Sequence, residues 1–392
     1  MKKMYVLIDL SNNSFEFYKN TILDFANELK KITILDISKL FKKKVKNKYL
    51  NKRYSLNIIQ PKNFTEFKEI LKSKNIYFMY AINNGVENFY INYLLSKYNV
   101  KKFIISNIGY NPENYNYFKK NIIQKIIIFS RLRLKYYFFR ILVLINIFPK
   151  IDYFFEASDF IYKSIINGLS YKLQKKIHFL NISYYKKVFK INSRSYDNIY
   201  YSRYNVSEKY IVFLDGMLFD HQDRILREGH TKKKFRKQYY DKLYDVLKKH
   251  EKIFNKKIIV CLHPKNDISK TRGDFKDLKC IKFQTEKYMS QAFLIFFHEG
   301  SSIIQGIVQK KKIINLHGKI LGDYVDKRCE IYPKLLKLHR IDLNNIIFNS
   351  KTKLLTILKK TKKNYQSYIK KNIVNDPSKS SIVQIIDCLK LR

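Results

Sequence analysis

Short apolar runs alternate with amphipathic stretches twice along this chain of 392 residues, and that double alternation is what most restricts its fold. In the first half, Met4–Ile8 reads as a strand, Asn13–Lys31 as an amphipathic helix and Ile32–Asp36 as a second strand. Helices are predicted over Phe64–Leu71 and Val86–Tyr98, and strands over Ile76–Ala81, Lys102–Ser106 and Ile151–Ala157. The rhythm restarts with strand Tyr210–Leu214, helix Phe235–Lys249 and strands Lys257–Leu262 and Cys280–Phe283. Helix Thr285–Ser290, strand Phe293–Phe297, helix Ser301–Val308 and strand Lys312–Leu316 complete it. Strand–helix–strand repetition closes most simply as a parallel sheet with helices on its faces. Two such blocks predict an α/β protein of two facing Rossmann-like domains. Residues 1–157 form the first, 158–205 a polar, Tyr-rich connector, 206–350 the second and 351–392 a basic helical tail. The length suits two domains.

Hydrophobic residues make up 46% of the chain, enough for two cores, which excludes wholesale disorder. Cys261, Cys280, Cys329 and Cys388 are scattered, without the close pairing that zinc or a disulfide framework requires, and fit a reducing cytoplasm. The apolar run Met4–Ile8 meets Asp9 at once, too soon for a signal peptide, and the most apolar later stretch, Ile141–Phe148, is far short of the ~20 residues that span a bilayer. The expectation is a cytoplasmic protein, at most peripheral on the inner membrane. Residues Asn121–Phe148 carry five Lys or Arg and no acid among apolar and aromatic side chains. Such a helix either lies in an anionic membrane interface or is half-buried with its basic stems reaching out to water.

Lys and Arg number 78 against 32 acidic residues, a net charge of +46. That favours polyanionic partners, unless an AT-rich coding bias has simply filled ordinary surface positions with Lys. The charge, with 32 Tyr and 29 Phe, raises a nucleic-acid-binding protein as the rival from another class. The aromatics fall within apolar runs suited to core packing, and no nucleic-acid-binding motif is present, so nucleic acid ranks behind the reading that follows.

In open parallel sheets, ligands bind beyond the carboxyl ends of the strands. Three predicted strand ends carry chemistry. Leu214-Asp215-Gly216 ends the first, so that Asp215 is either a general base at the cleft or a turn residue capping its own loop; Asp220 and His221 follow as possible substrate contacts. His263-Pro264 ends the second, since proline cannot continue the ladder, and the imidazole at the edge can donate to a phosphate. His298-Glu299-Gly300-Ser301-Ser302 ends the third and opens a helix. Its backbone N–H groups and serine hydroxyls can hold phosphate, Glu299 can accept from a ribose, and the plain alternative is an ordinary serine cap.

In this order and spacing the three motifs resemble those of bacterial sialyltransferases and their polysialyltransferase relatives, which carry an acidic-acidic-Gly motif, an HP motif and a Ser-rich motif. The resemblance covers roughly 210–316. It implies the two-domain GT-B fold and an inverting glycosyltransferase that moves a sialic or related nonulosonic acid from a CMP-sugar to a glycan or glycolipid acceptor of capsule or lipooligosaccharide. It also implies Asp215 as the base, His263 as a catalytic contact to the phosphate, and Gly300, Ser301 and Ser302 around that phosphate. Leu214 stands where the first acidic residue of the family belongs, which leaves open Kdo-like donors, CDP-glycerol-type transferases and a scaffold without chemistry. No DxD metal motif is present. The expectation is a metal-independent enzyme without a cofactor, the CMP-sugar being its substrate.

Overall fold

The computed structural model describes residues 3–10, 14–41, 56–73, 76–81, 88–106, 150–159, 185–220, 233–271 and 273–391. Two compact units result. Of the described residues, 3–106, 150–194 and 375–391 form the first and 195–374 the second.

The first unit is built on a seven-stranded sheet in the order β3-β2-β1-β4-β5-β6-β7. Its strands are β1 (Lys3–Ile8), β2 (Thr33–Asp36), β3 (Asn57–Ile59), β4 (Ile76–Tyr80), β5 (Lys101–Ser106), β6 (Ile151–Glu156) and β7 (Tyr185–Lys190). Every pairing is parallel. Both faces are covered, which is why β1 is an unbroken apolar run rather than an alternating one. Met4, Val6 and Ile8 pack into one core with Ile22 and Phe25 of the helix Ser14–Leu29. Tyr5 and Leu7 pack on the other face with Phe67, Leu71, Leu94 and Leu95.

The second unit repeats the plan with six strands in the order β10-β9-β8-β11-β12-β13. These are β8 (Tyr210–Leu214), β9 (Ile258–Cys261), β10 (Lys279–Ile281), β11 (Ala292–Phe297), β12 (Lys312–His317) and β13 (His339–Asp342), all parallel. Counted along the unit this is the order 3-2-1-4-5-6 of dinucleotide-binding sheets. Ile211 and Phe213 point into a core with Tyr239, Leu243 and Leu247 of the helix Lys233–Phe254. Val212 and Leu214 face Ile303, Ile304 and Ile307 on the other side.

Two expectations are revised. The stretch expected as a connector, 158–205, contains β7, an edge strand whose Lys186 and Lys187 are exposed, so it lacks the apolar signature of its neighbours. The tail expected as basic helices divides. The helices Lys351–Lys362 and Tyr365–Asn372 are basic and belong to the second unit. The helix Ser381–Leu389 is apolar, and Ile382, Ile385, Ile386 and Leu389 complete the core of the first unit. Buried Asn192 secures that return, donating from Nδ2 to the carbonyls of Asp376 (2.7 Å) and Lys379 (2.6 Å) and accepting at Oδ1 from the N–H of Asn375 (2.6 Å). The basic stretch 121–148 lies outside the described residues. Among the described residues no helix is long and apolar enough to cross a membrane.

Candidate functional site

The second sheet reverses its strand order between β8 and β11, where a parallel α/β sheet opens a crevice at its carboxyl edge. In register, Leu214 at the end of β8 pairs with Cys261 of β9 on one side and Phe297 of β11 on the other. The three strand ends picked out in the sequence are therefore neighbours, with Asp215 between the His263 loop and the loop that follows β11. Burial pushes the Cys261 thiol up to about 12, so it stays protonated and unreactive there.

Asp215 is 8% exposed and its carboxylate is engaged on both oxygens. Oδ1 accepts from the N–H of Met217 (3.0 Å); Oδ2 accepts from Nδ2 of Asn266 (2.8 Å) and, at longer range, from the N–H of His263 (3.5 Å). Met217 sits at φ 52°, a left-handed conformation that the carboxylate holds in place. His263 is half-buried and its Nδ1 accepts from the N–H of Lys265 (3.2 Å). With Nδ1 accepting, the proton of the neutral ring belongs on Nε2.

The loop after β11 turns at Gly300, whose φ of 111° and ψ of 161° lie outside the range of L side chains. Ser301–Ile303 form one turn of 3-10 helix that runs into the helix Ile304–Val308. Ser301 is half-buried and Ser302 exposed, and among the described residues neither hydroxyl has a hydrogen-bond partner.

Three residues behave otherwise than expected or fall outside what is described. Glu299 is engaged within the protein: its side chain is 4% exposed and forms an ion pair with Arg328. Asp220 pairs with Arg236 (3.0 Å), which also holds Asp274 through Nη2 (2.6 Å) and Nε (3.1 Å), so it serves a clamp between two loops. His221 lies outside the described residues. Burial, reinforced by the nearby carboxylates of Asp215 and Asp274, holds the Tyr240 hydroxyl well above its ordinary range.

Sequence reasoning gave no role to the residues that shape these loops. His298, 1% exposed, bonds through Nδ1 to the carbonyl of Leu316 (2.9 Å) and through Nε2 to the hydroxyl of Tyr239 (2.7 Å). A carbonyl can only accept, so Nδ1 carries the proton and Tyr239 donates to Nε2. Asn315 donates from Nδ2 to the backbone carbonyl of His298 (2.7 Å), fixing where Glu299 and Gly300 start. His298 precedes the serine motif directly and was visible as a strand end. Asn315, Tyr239 and Arg328 give no local signal, because only the fold brings them there.

No protein-family model matches the sequence, and no curated protein matches it. Solved structures do. A putative UDP-N-acetylglucosamine 2-epimerase from Listeria monocytogenes aligns over 100% of this chain and 96% of its own, at 9% identity and a TM-score of 0.50. The fold is of the GT-B type, two parallel-sheet α/β domains. The S. aureus MnaA–UDP complex aligns over 100% of this chain and 98% of its own, at 12% identity and a TM-score of 0.46. The wall teichoic acid polymerase TagF covers 99% of this chain and 89% of its own, at 10% identity and a TM-score of 0.47.

Proposed function

We propose that this chain is a glycosyltransferase acting on a nucleotide-activated sugar, and more narrowly that it moves a sialic or related nonulosonic acid from a CMP-sugar to a hydroxyl of a surface glycan or glycolipid. The observation that carries the reading is the loop after β11. At the switch point of a dinucleotide-type sheet it turns through a glycine at φ 111° and presents two serine hydroxyls that no described residue satisfies. A phosphate is the ligand such a loop suits: its oxygens accept from hydroxyls and from the first N–H groups of a helix. His263, on the loop braced to Asp215, brings an Nε2–H that can donate to the same group.

In this scheme the acceptor hydroxyl oxygen bonds to the anomeric carbon and gives up its proton to water, as the bond from that carbon to the phosphate oxygen breaks and its electron pair leaves with CMP. Negative charge gathers on the phosphate, where preorganised donors act most strongly, each contributing about 10²–10³ in rate. The charge of +46 favours an anionic partner, and we place the enzyme at the cytoplasmic face of the inner membrane with a lipid-linked acceptor.

The test is a thermal-shift comparison of CMP, CDP, UDP and GDP on the wild type and on His263→Ala. CMP is expected to raise the unfolding midpoint of the wild type most, and by less in the variant. A larger response to CDP or UDP moves the donor to another nucleotide. No response to any of the four removes the nucleotide-sugar reading.

A further inference from the structure

The HP loop is held by a residue that neither motif nor composition singled out. Asn266, 3% exposed, uses its amide and its backbone in three directions. Its N–H donates to the carbonyl of His263 (2.8 Å), closing the turn on which the imidazole is mounted. Its carbonyl accepts from Nζ of Lys282 (2.7 Å), just past β10. Its Nδ2 donates to Oδ2 of Asp215 (2.8 Å) at the end of β8. The same carboxylate takes the N–H of Met217 on its other oxygen.

A general base needs a lone pair aimed at the acceptor hydroxyl. Three of the roughly four lone-pair sites of the Asp215 carboxylate already face donors of the two loops it joins, in a residue only 8% exposed. We infer that Asp215 and Asn266 form a clamp that positions His263 for the donor phosphate, and that Asp215 is a positioning residue rather than the group that takes the acceptor's proton. The inference rests on the nucleotide-sugar reading above.

The chemistry of the clamp makes it separable from a base. Both oxygens of Asp215 face N–H donors, so an amide there must turn its NH₂ against either Met217 or Asn266. Exchanging the two residues repairs this: in the double variant Asp215→Asn with Asn266→Asp, the amide at 215 keeps its oxygen towards Met217 and donates to the carboxylate at 266. The link between positions 215 and 266 is rebuilt with its charge moved to the neighbouring loop, and only the long contact from the His263 N–H (3.5 Å) is given up.

The experiment measures three quantities on the wild type, Asp215→Asn and the exchange variant: the thermal shift with CMP, the KM and kcat for CMP release from CMP-sialic acid, and the unfolding midpoint without ligand. A clamp predicts that Asp215→Asn raises the donor KM at least tenfold and shrinks the CMP shift, and that the exchange restores both to within about threefold. Retention of the CMP shift and donor KM in Asp215→Asn, with kcat down at least a hundredfold and no rescue by exchange, would overturn the inference and return the carboxylate to the role of base. A change in midpoint alone, with donor KM and kcat untouched, would also overturn it, since the clamp would then only support the fold. Should Asp215→Asn not fold, Asn266→Ser breaks the same bond from the other loop and is judged by the same KM and CMP shift. Failure of the wild type to respond to any of the four nucleotides defeats the nucleotide-sugar reading itself and is recognisable before any variant is made.

Discussion

The carboxyl edges of the two sheets start from the same plan and use their polar groups differently. At the end of β2 in the first unit, Asp36 is fully buried and accepts four donors: the N–H groups of Leu10 (3.0 Å) and Ser38 (3.0 Å), the Ser38 hydroxyl (2.8 Å) and Nε2 of Gln60 (2.6 Å). That carboxylate is closed on itself. At the corresponding edge of the second unit, the carboxylate of Asp215 ties two loops together while Ser301 and Ser302 keep hydroxyls that nothing described satisfies. Similar topology thus does not make equivalent sites. On the proposed function, what separates a structural edge from a binding edge is whether the donors at the strand ends are already spent on protein acceptors.

Substitutions at the two edges should therefore fail in different ways. Asp36→Ala is expected to cause the largest loss, about 3–5 kcal/mol of folding stability, because it strands several buried donors at once. Chemical denaturation would measure it, and an undiminished wild-type-like response to CMP in the folded fraction is part of the expectation. The double variant Ser301→Ala with Ser302→Ala should do the reverse: a fall of about 10²–10³-fold in CMP release from CMP-sialic acid, with an unchanged unfolding midpoint. A drop in midpoint instead would mean that this edge, too, is structural.

Glu156, at the end of β6, sharpens the contrast from within the first edge. It is 1% exposed, and its Oε1 accepts from the N–H of Ser158 (2.8 Å) while among the described residues Oε2 has no partner. Burial pushes its carboxyl up to about 7, against hydrogen bonds from Ser158, Ser106 and Ala157 that pull it down. Since the folded group holds its proton more tightly than the unfolded one, its contribution is fully present below pH 4.5 and is lost as the pH rises through about 7. The wild type should lose about 3 kcal/mol over that window that Glu156→Gln does not, as read from denaturation curves at pH 4.5 and 8. Gly300→Ala should cost less, about 1–3 kcal/mol of backbone strain at φ 111°, and should weaken the CMP response more than Ala substitution at the exposed Gly273. The smallest effect expected is none: EDTA should leave the rate of CMP release unchanged if serine hydroxyls, helix N–H groups and His263 suffice for the phosphate.

Much of the fold was legible because both sheets are covered on both faces, so their central strands are uninterrupted apolar runs. β8, predicted over Tyr210–Leu214, and the helices Phe64–Leu71 and Thr285–Ser290 fall where periodicity put them. The short strands β3 and β13 and the half-exposed edge strand β7 were missed, since three or four residues, or an alternation of Lys with Tyr and Phe, do not rise above loop composition. At the site, the positions of Asp215, His263 and the serines followed from strand ends alone. Their partners did not: Glu299 reads as an exposed acid until Arg328, distant in sequence, is folded against it. The same holds for Asn266, whose bonds to Asp215 and Lys282 exist only once β8, β9 and β10 lie side by side.

The return of the chain through Asn192 and the helix Ser381–Leu389 has a consequence in time rather than in space. The core of the first unit draws on residues from both ends of the described chain, whereas residues 195–374 of the second are contiguous. During synthesis the second unit can therefore close on itself while the first still lacks Ile382, Ile385, Ile386 and Leu389. The first unit is thus finished after the second, and until the helix Ser381–Leu389 is made the core that Ile22 and Phe25 share with β1 lacks four of its apolar side chains.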